Sequence, residues 1–356
     1  MTLIIAEAGV NHNGSDELAY ALVDAAYQAG ADIVKFQTFK AKNIVTEEAE
    51  QAEYQVTNSG QKESQFSMLK RLELSYDTHH KLVKYCHDLG IEFLSTAFDS
   101  ESLNFLVNDL GITRLKLPSG EITNAPLVLE HARTDCDLIV STGMATLSEI
   151  EQVLSVIAFG YLNKSDSPTD ELLQAAYFSD EGKRLLKQKV TLLHCTTEYP
   201  APYSDINLNA MDTMADSFKL AVGYSDHSEG ITVPIAAVAK GAVLIEKHFT
   251  VDKSLPGPDH KASLDPAELK AMVEGIRTVE QVLGDGIKGP RASEVKNKAV
   301  ARKSLVAAKD IAVGEAFSES NLAVKRPGSG INPIHFWRYL GSQSKQSYKA
   351  GDLINE

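Results

Sequence analysis

Cysteine is scarce in this 356-residue chain, and the three present, Cys86, Cys136 and Cys195, are an odd number without paired spacing. That excludes a disulfide framework and points to reduced thiols. No run approaches the ~20 consecutive apolar residues that span a bilayer, so no membrane segment is expected. Residues 1–10 read as a strand, without the basic n-region and cleavage site of a signal peptide, and a cytoplasmic location is the expectation. Basic residues are in the minority, 35 Lys and Arg against 48 Asp and Glu, for a formal charge of -13. A generally basic surface for nucleic acid is thereby excluded, although a few lysines inside a cleft still suit a small anion. A Gly-rich dinucleotide fingerprint is also missing, which argues against a doubly wound open sheet.

What is present is a repeated unit. Short runs rich in Ile, Val, Leu and Phe at 3–10, 32–39, 92–98, 114–120, 137–143, 190–196, 219–226 and 243–249 read as strands buried on both faces. Helical patterns follow at 15–30, 77–90, 100–109, 127–134, 146–159, 208–217, 231–240 and 266–283. Strand–helix alternation means parallel strands with crossovers, and eight such units fit a closed (β/α)8 TIM barrel over residues 1–284. Two insertions interrupt it. Residues 40–75 follow a strand end and read as a lid; residues 160–189 lie at the opposite face and read as decoration. Residues 285–298, with Gly, Pro and mixed charge, read as a linker. Residues 299–356 form a small β-rich domain with short strands at 304–308 and 322–325, marginal on its own at that size.

Polar residues concentrate where each strand ends, the face on which barrels of this kind place their sites. They are Glu7; Lys35 and Gln37; Thr96; Lys116 and Ser119; Ser141 and Thr142; His194 and Thr197; Ser225, Asp226 and His227; Glu246 and His248. A charged residue in an apolar strand is costly unless it is paired or used. Lys35 and Lys116, with the hydroxyls of Thr96, Ser119, Ser141 and Ser225, read as an anion cradle. His227 and His248 end adjacent strands, where two imidazoles suit one divalent transition ion. Alternation is expected to turn Glu246 away from the His248 side, which leaves its role open.

Several runs resemble the bacterial sialic acid synthase family. They are Glu7-Ala-Gly-Val-Asn-His-Asn-Gly14, Val34-Lys-Phe-Gln-Thr-Phe39, Lys116-Leu-Pro-Ser-Gly-Glu121, Leu138-Ile-Val-Ser-Thr-Gly-Met144, His194-Cys-Thr-Thr-Glu-Tyr-Pro200, Gly223-Tyr-Ser-Asp-His227, Glu246-Lys-His-Phe-Thr250 and Gly257-Pro-Asp259. The run Val324-Lys-Arg-Pro-Gly-Ser-Gly330 resembles that family's small antifreeze-like (SAF) domain. The match covers nearly the whole chain in order.

The resemblance implies a metal-dependent condensation of phosphoenolpyruvate with an N-acylated amino sugar. N-acetylmannosamine, giving N-acetylneuraminate, is the first expectation; a di-acetamido deoxy sugar, giving legionaminic acid or a relative, is the alternative. It implies that Lys35, Gln37, Thr96, Lys116, Ser119, Ser141 and Ser225 bind phosphoenolpyruvate. His227 and His248 would hold a divalent cation, commonly manganese, with magnesium or cobalt as alternatives. Glu7, Glu121, Tyr199 and Asp259 would face the sugar, with Glu7 and Glu121 as candidates to orient the water. Thr197 joins the substrate-binding set, although some relatives carry Asn there. A homodimer is implied in which the SAF domain covers the partner barrel and Arg326 reaches the partner's sugar. The competing readings are a barrel synthase making shorter keto sugars and a non-catalytic carbohydrate- or ice-binding protein.

Overall fold

The structure, a computed structural model, describes residues 1–52, 55, 56, 58 and 62–355. Its chain divides into two compact units, Met1–Gly284 and Asp285–Glu356.

The first unit is a closed barrel of eight parallel strands in sequence order: β1 (Leu3–Gly9), β2 (Ile33–Thr38), β3 (Glu92–Ala97), β4 (Arg114–Leu117), β5 (Asp137–Ser141), β6 (Val190–Cys195), β7 (Ala221–Asp226) and β8 (Leu244–His248). β1 pairs with both β2 and β8, which closes the ring. Local signals start and stop the surrounding helices. The hydroxyl of Ser15 accepts from the amide of Leu18 to cap Asp16–Ala29, and Gly30 ends that helix in the left-handed region at φ 81°. Thr146 with Glu149 and Asp265 with Glu268 form reciprocal capping boxes at two later helices.

Several expected bounds shift. The fourth strand stops at Leu117, and Ser119–Glu121 is a 3-10 turn, because Pro118 has no amide to donate to the ladder. β7 starts at Ala221, with Lys219 in the left-handed region at φ 56° where helix Ala210–Phe218 ends. The 160–189 insertion is more than decoration: it holds helices Asp170–Phe178 and Asp180–Lys189, whose Ala176 and Leu186 join the main core. Within 40–75, the described residues form helices Ala41–Ile44 and Gln65–Leu72.

Two apolar regions build the barrel. A large one packs strands against helices outside the ring. A smaller layer inside the ring comprises Ile5, Ile33, Leu94, Ile139, Leu193 and Leu244. Side chains two residues apart share a face, so the next inward positions lie directly above this layer.

In the second unit, β9 (Ser304–Ala307) pairs antiparallel with β10 (Leu322–Lys325) over a core that includes Leu305, Ile311, Phe317, Tyr348 and Ile354. The expected linker is partly ordered, since Ala292–Ala301 is a helix without a buried residue. Among the described residues, no helix is long and apolar enough to cross a membrane.

Candidate active site

A cavity of about 420 Å³ opens at the C-terminal ends of the strands. The barrel residues that the family resemblance assigns to the site all line it. From β1 to β3 come Glu7, Lys35, Gln37 and Thr96; from the β4 and β5 ends come Lys116, Ser119, Glu121 and Ser141. Thr197, Tyr199, Ser225, His227, His248 and Asp259 complete the set. Three members of the strand-end ring point elsewhere. The hydroxyl of Thr142 donates to the Leu193 carbonyl, His194 Nε2 bonds the Ile206 carbonyl, and Asp226 is paired with Lys247. Arg326 belongs to the second unit, where it is exposed and its Nε donates to the Ala301 carbonyl at 3.1 Å.

The floor is a buried charge network. Lys35 Nζ lies 2.6 Å from Glu7 and 3.4 Å from Glu246, and Lys116 Nζ lies 3.4 Å from Glu246. The Ser225 hydroxyl donates to Glu246 at 2.8 Å, and Lys35 donates to the Thr96 hydroxyl at 3.2 Å. This corrects the reading of Glu246: it sits two residues from His248, hence on the same face, and Lys247 between them points out of the barrel. The period of two, counted from His248, is the sequence signal that places Glu246 on the cavity face.

The four charges are unequal. Burial would raise Glu246, but Lys116 and Lys35 hold its carboxyl well below the usual range. Glu7 goes the other way, raised to about 7, because burial and the nearby Glu246 outweigh Lys35. Burial would depress Lys35, yet Glu246 and Glu7 hold its ammonium above the ordinary value, whereas Lys116 is lowered because burial outweighs Glu246. The floor therefore sets two lysines, one held up and one lowered, against one carboxyl held low and one raised.

Beside it stand the two imidazoles. His227 Nδ1 lies 2.6 Å from the Thr196 carbonyl, which can only accept, so Nδ1 carries the proton and Nε2 has the lone pair. Tyr199 stacks against this ring, with its hydroxyl 3.2 Å from Nε2. His248 lies with its ring centroid 5.6 Å from that of His227, and its Nδ1 is buried without a hydrogen-bond partner in the protein. Burial lowers His227 to about 4 and His248 well below its usual value, so both are neutral, the form that ligates metal. Among the described residues no group of three His, Cys, Asp or Glu gathers around a common point. The two neighbouring neutral imidazoles are donors of a kind that suits a divalent transition ion.

The walls divide in chemistry. Ser141 Oγ and Thr197 Oγ1 are buried without a protein partner, and such atoms are normally satisfied. Ser119 Oγ accepts from the Gly143 amide at 3.0 Å; a Cβ on Gly143 would collide with Ser119 and Thr197. Glu121 accepts from the Asn124 amide at 2.7 Å, and burial raises Asp259 to about 6. The 40–75 insertion lines the cavity with Ile44, Val45, Met68, Leu69 and Leu72, and also with Gln55 and Gln65.

Comparison with known proteins agrees with this architecture. The chain is 49% identical over 355 residues to the N,N'-diacetyllegionaminic acid synthase of Campylobacter jejuni, covering 100% of this chain and 99% of that protein. It is 47% identical over 351 residues to the Legionella pneumophila enzyme of the same name, covering 99% and 92%. Among solved structures, the N-acetylneuraminic acid synthetase of Leptospira borgpetersenii superposes with a TM-score of 0.66 at 32% identity, over 83% of this chain and 90% of that one. Residues 22–288 match the NeuB family and residues 302–356 match the SAF domain. With a closed barrel, a strand-end cavity holding lysines and paired histidines, and these matches along its length, the chain belongs to the NeuB family and carries a SAF domain.

Proposed function

We propose that this protein is an N,N'-diacetyllegionaminic acid synthase, condensing phosphoenolpyruvate with a di-acetamido deoxy sugar and releasing phosphate. The chain is a phosphoenolpyruvate-dependent nonulosonate synthase, and the choice of acceptor is the finer step. The sequence reading placed N-acetylmannosamine first. The observation that moves the choice is whole-length identity of 49% and 47% to two synthases of the di-acetamido product. The apolar side chains that the 40–75 insertion brings to the cavity are consistent with it, because a second acetamido methyl and a deoxy carbon gain from apolar contact where a hydroxyl would lose hydrogen bonds to water.

The reaction joins the enol carbon of phosphoenolpyruvate to the sugar aldehyde. Water then adds to the resulting oxocarbenium carbon, and the tetrahedral intermediate expels phosphate. Lys35 and Lys116 hold the anionic groups of phosphoenolpyruvate, with the hydroxyls of Thr96, Ser119, Ser141, Thr197 and Ser225 as donors. Gln37 joins these groups on phosphoenolpyruvate, and Tyr199 and Asp259 orient the sugar. When bound by His227 and His248, a divalent cation, manganese first with magnesium or cobalt as alternatives, supplies Lewis-acid polarisation of the aldehyde oxygen. Glu7, raised to about 7, is suited to exchange a proton at physiological pH, and Glu121 is the second candidate to orient the water.

Incubating the protein with phosphoenolpyruvate, Mn2+ and either the di-acetamido deoxy sugar or N-acetylmannosamine, then weighing the products, tests the choice. The di-acetamido sugar is expected to give the larger kcat/KM; preference for N-acetylmannosamine overturns the assignment.

The dimer belongs to the same proposal: the SAF domain of one chain covers the partner barrel and presents Arg326 to its sugar. Arg326 is exposed in its own unit, and a guanidinium offers a planar fork to polar sugar groups. Mixing Arg326→Ala protein with Lys116→Met protein under subunit exchange rebuilds one intact site if the arginine acts in trans. No recovery despite proven exchange refutes that role.

A further inference from the structure

Lys247 belongs to β8 beside the end of β7 that precedes His227, and it does not line the cavity. Its Nζ is 2.7 Å from Asp226 Oδ2, with both side chains essentially inaccessible, at 1% and 0% exposure. It also donates to the Ser228 carbonyl. Asp226 Oδ1 in turn accepts from the Ser228 amide at 3.0 Å. Asp226 and Lys247 are register partners between β7 and β8. The residue that precedes His248 therefore grips the residues on both sides of His227.

We propose that the Lys247–Asp226–Ser228 clamp is the positioning device for the His227–His248 pair, holding the two imidazoles at metal-binding separation. Burying two opposite charges gains little net stability, and an apolar pair of similar volume commonly serves as well. What an apolar pair lacks is direction. The ammonium makes bonds to two separate groups flanking one histidine, and these set the backbone from which that ring projects. The neighbouring contacts have the same result: the Thr196 carbonyl fixes the His227 ring tautomer, while the clamp fixes where the ring starts.

The inference rests on the reading of His227 and His248 as the cation site, and the experiment separates the two. Metal-free protein is titrated with Mn2+ alone, following loss of the free-ion electron paramagnetic resonance signal, and melting temperatures are measured on the same samples. The set is wild type, Lys247→Met, Asp226→Asn and the uncharged pair D226N/K247M. Mn2+ affinity in Lys247→Met is expected to fall roughly tenfold to hundredfold, the range for supporting partners of metal ligands. The uncharged pair is expected to regain melting temperature relative to Lys247→Met without regaining Mn2+ affinity. Affinity that returns together with melting temperature makes the clamp merely structural and overturns the proposal. Unchanged affinity in all variants overturns it too. A wild type that binds no Mn2+ removes the cation site itself, and the clamp's role with it.

Discussion

The barrel interior holds two layers made by the same strands, one pleat apart. Ile5, Ile33, Leu94, Ile139 and Leu244 form the lower layer; Glu7, Lys35, Thr96, Ser141 and Glu246, each two residues further along its strand, form the upper one. Both layers are almost completely buried. The lower is satisfied by contact among its members. The upper is satisfied by a network that leaves Ser141 Oγ without a protein partner and carries carboxyls displaced in opposite directions. The lower layer fills the ring with apolar side chains, and the upper lines the cavity.

The comparison breaks most completely at the top. His248→Ala is expected to abolish activity while leaving the melting temperature near that of wild type, because the cost falls on the ligand site rather than on the apolar layer. Exhaustive chelation should have the same result, with recovery on adding Mn2+. Steady-state assay beside thermal unfolding checks both, and full activity after chelation contradicts the metal role.

Lys116→Met should lower kcat/KM by ~10²-fold or more, since a desolvated charge-assisted contact to the substrate is lost. Unchanged kinetics would remove Lys116 from the anion site. One layer down, Ile139→Ala should do the reverse. It should lose about 2–5 kcal/mol of stability by opening a cavity, while kcat/KM of the folded fraction stays within a few-fold of wild type. Denaturant unfolding combined with kinetics on the folded enzyme reads the contrast.

The smallest effect separates polar from apolar burial by pH. His131, outside the ring, is lowered to about 4 chiefly by burial, and its Nδ1 donates to the Leu127 carbonyl. An unfolded histidine titrates near 6.5. Between pH 6.5 and about 4 the unfolded state therefore binds more protons, and the stability this group contributes is lost as the pH falls. His131→Gln should flatten that part of the stability–pH curve, whereas the Ile139→Ala penalty should be the same at every pH. Parallel curves for wild type and His131→Gln would contradict the assignment.

Much of this was legible in one dimension. Alternating buried strands and capped helices prescribe the barrel, and polar residues crowding the strand ends mark the open face. The resemblance adds residues that spacing alone does not single out, such as Tyr199 and Asp259. Where the reading failed, it failed on orientation or context. Glu246, expected to face away from the His248 side, shares its face because the two are two residues apart. Thr142, His194 and Asp226 share the strand ends with the site yet bond away from it. The 160–189 insertion reads as decoration because it lies on the face opposite the strand ends, yet its helices bury Ala176 and Leu186 in the main core.

The sequence by itself determined the order of elements, the strand-end cluster and the kinds of group available for chemistry, because these follow from local periodicity and composition. Only the tertiary structure decided which carboxylate sits between the two lysines, which imidazole nitrogen keeps its lone pair, and that Lys247 grips both neighbours of His227. Each of those depends on distances between residues far apart in the chain, set when the ring closes and water leaves its interior.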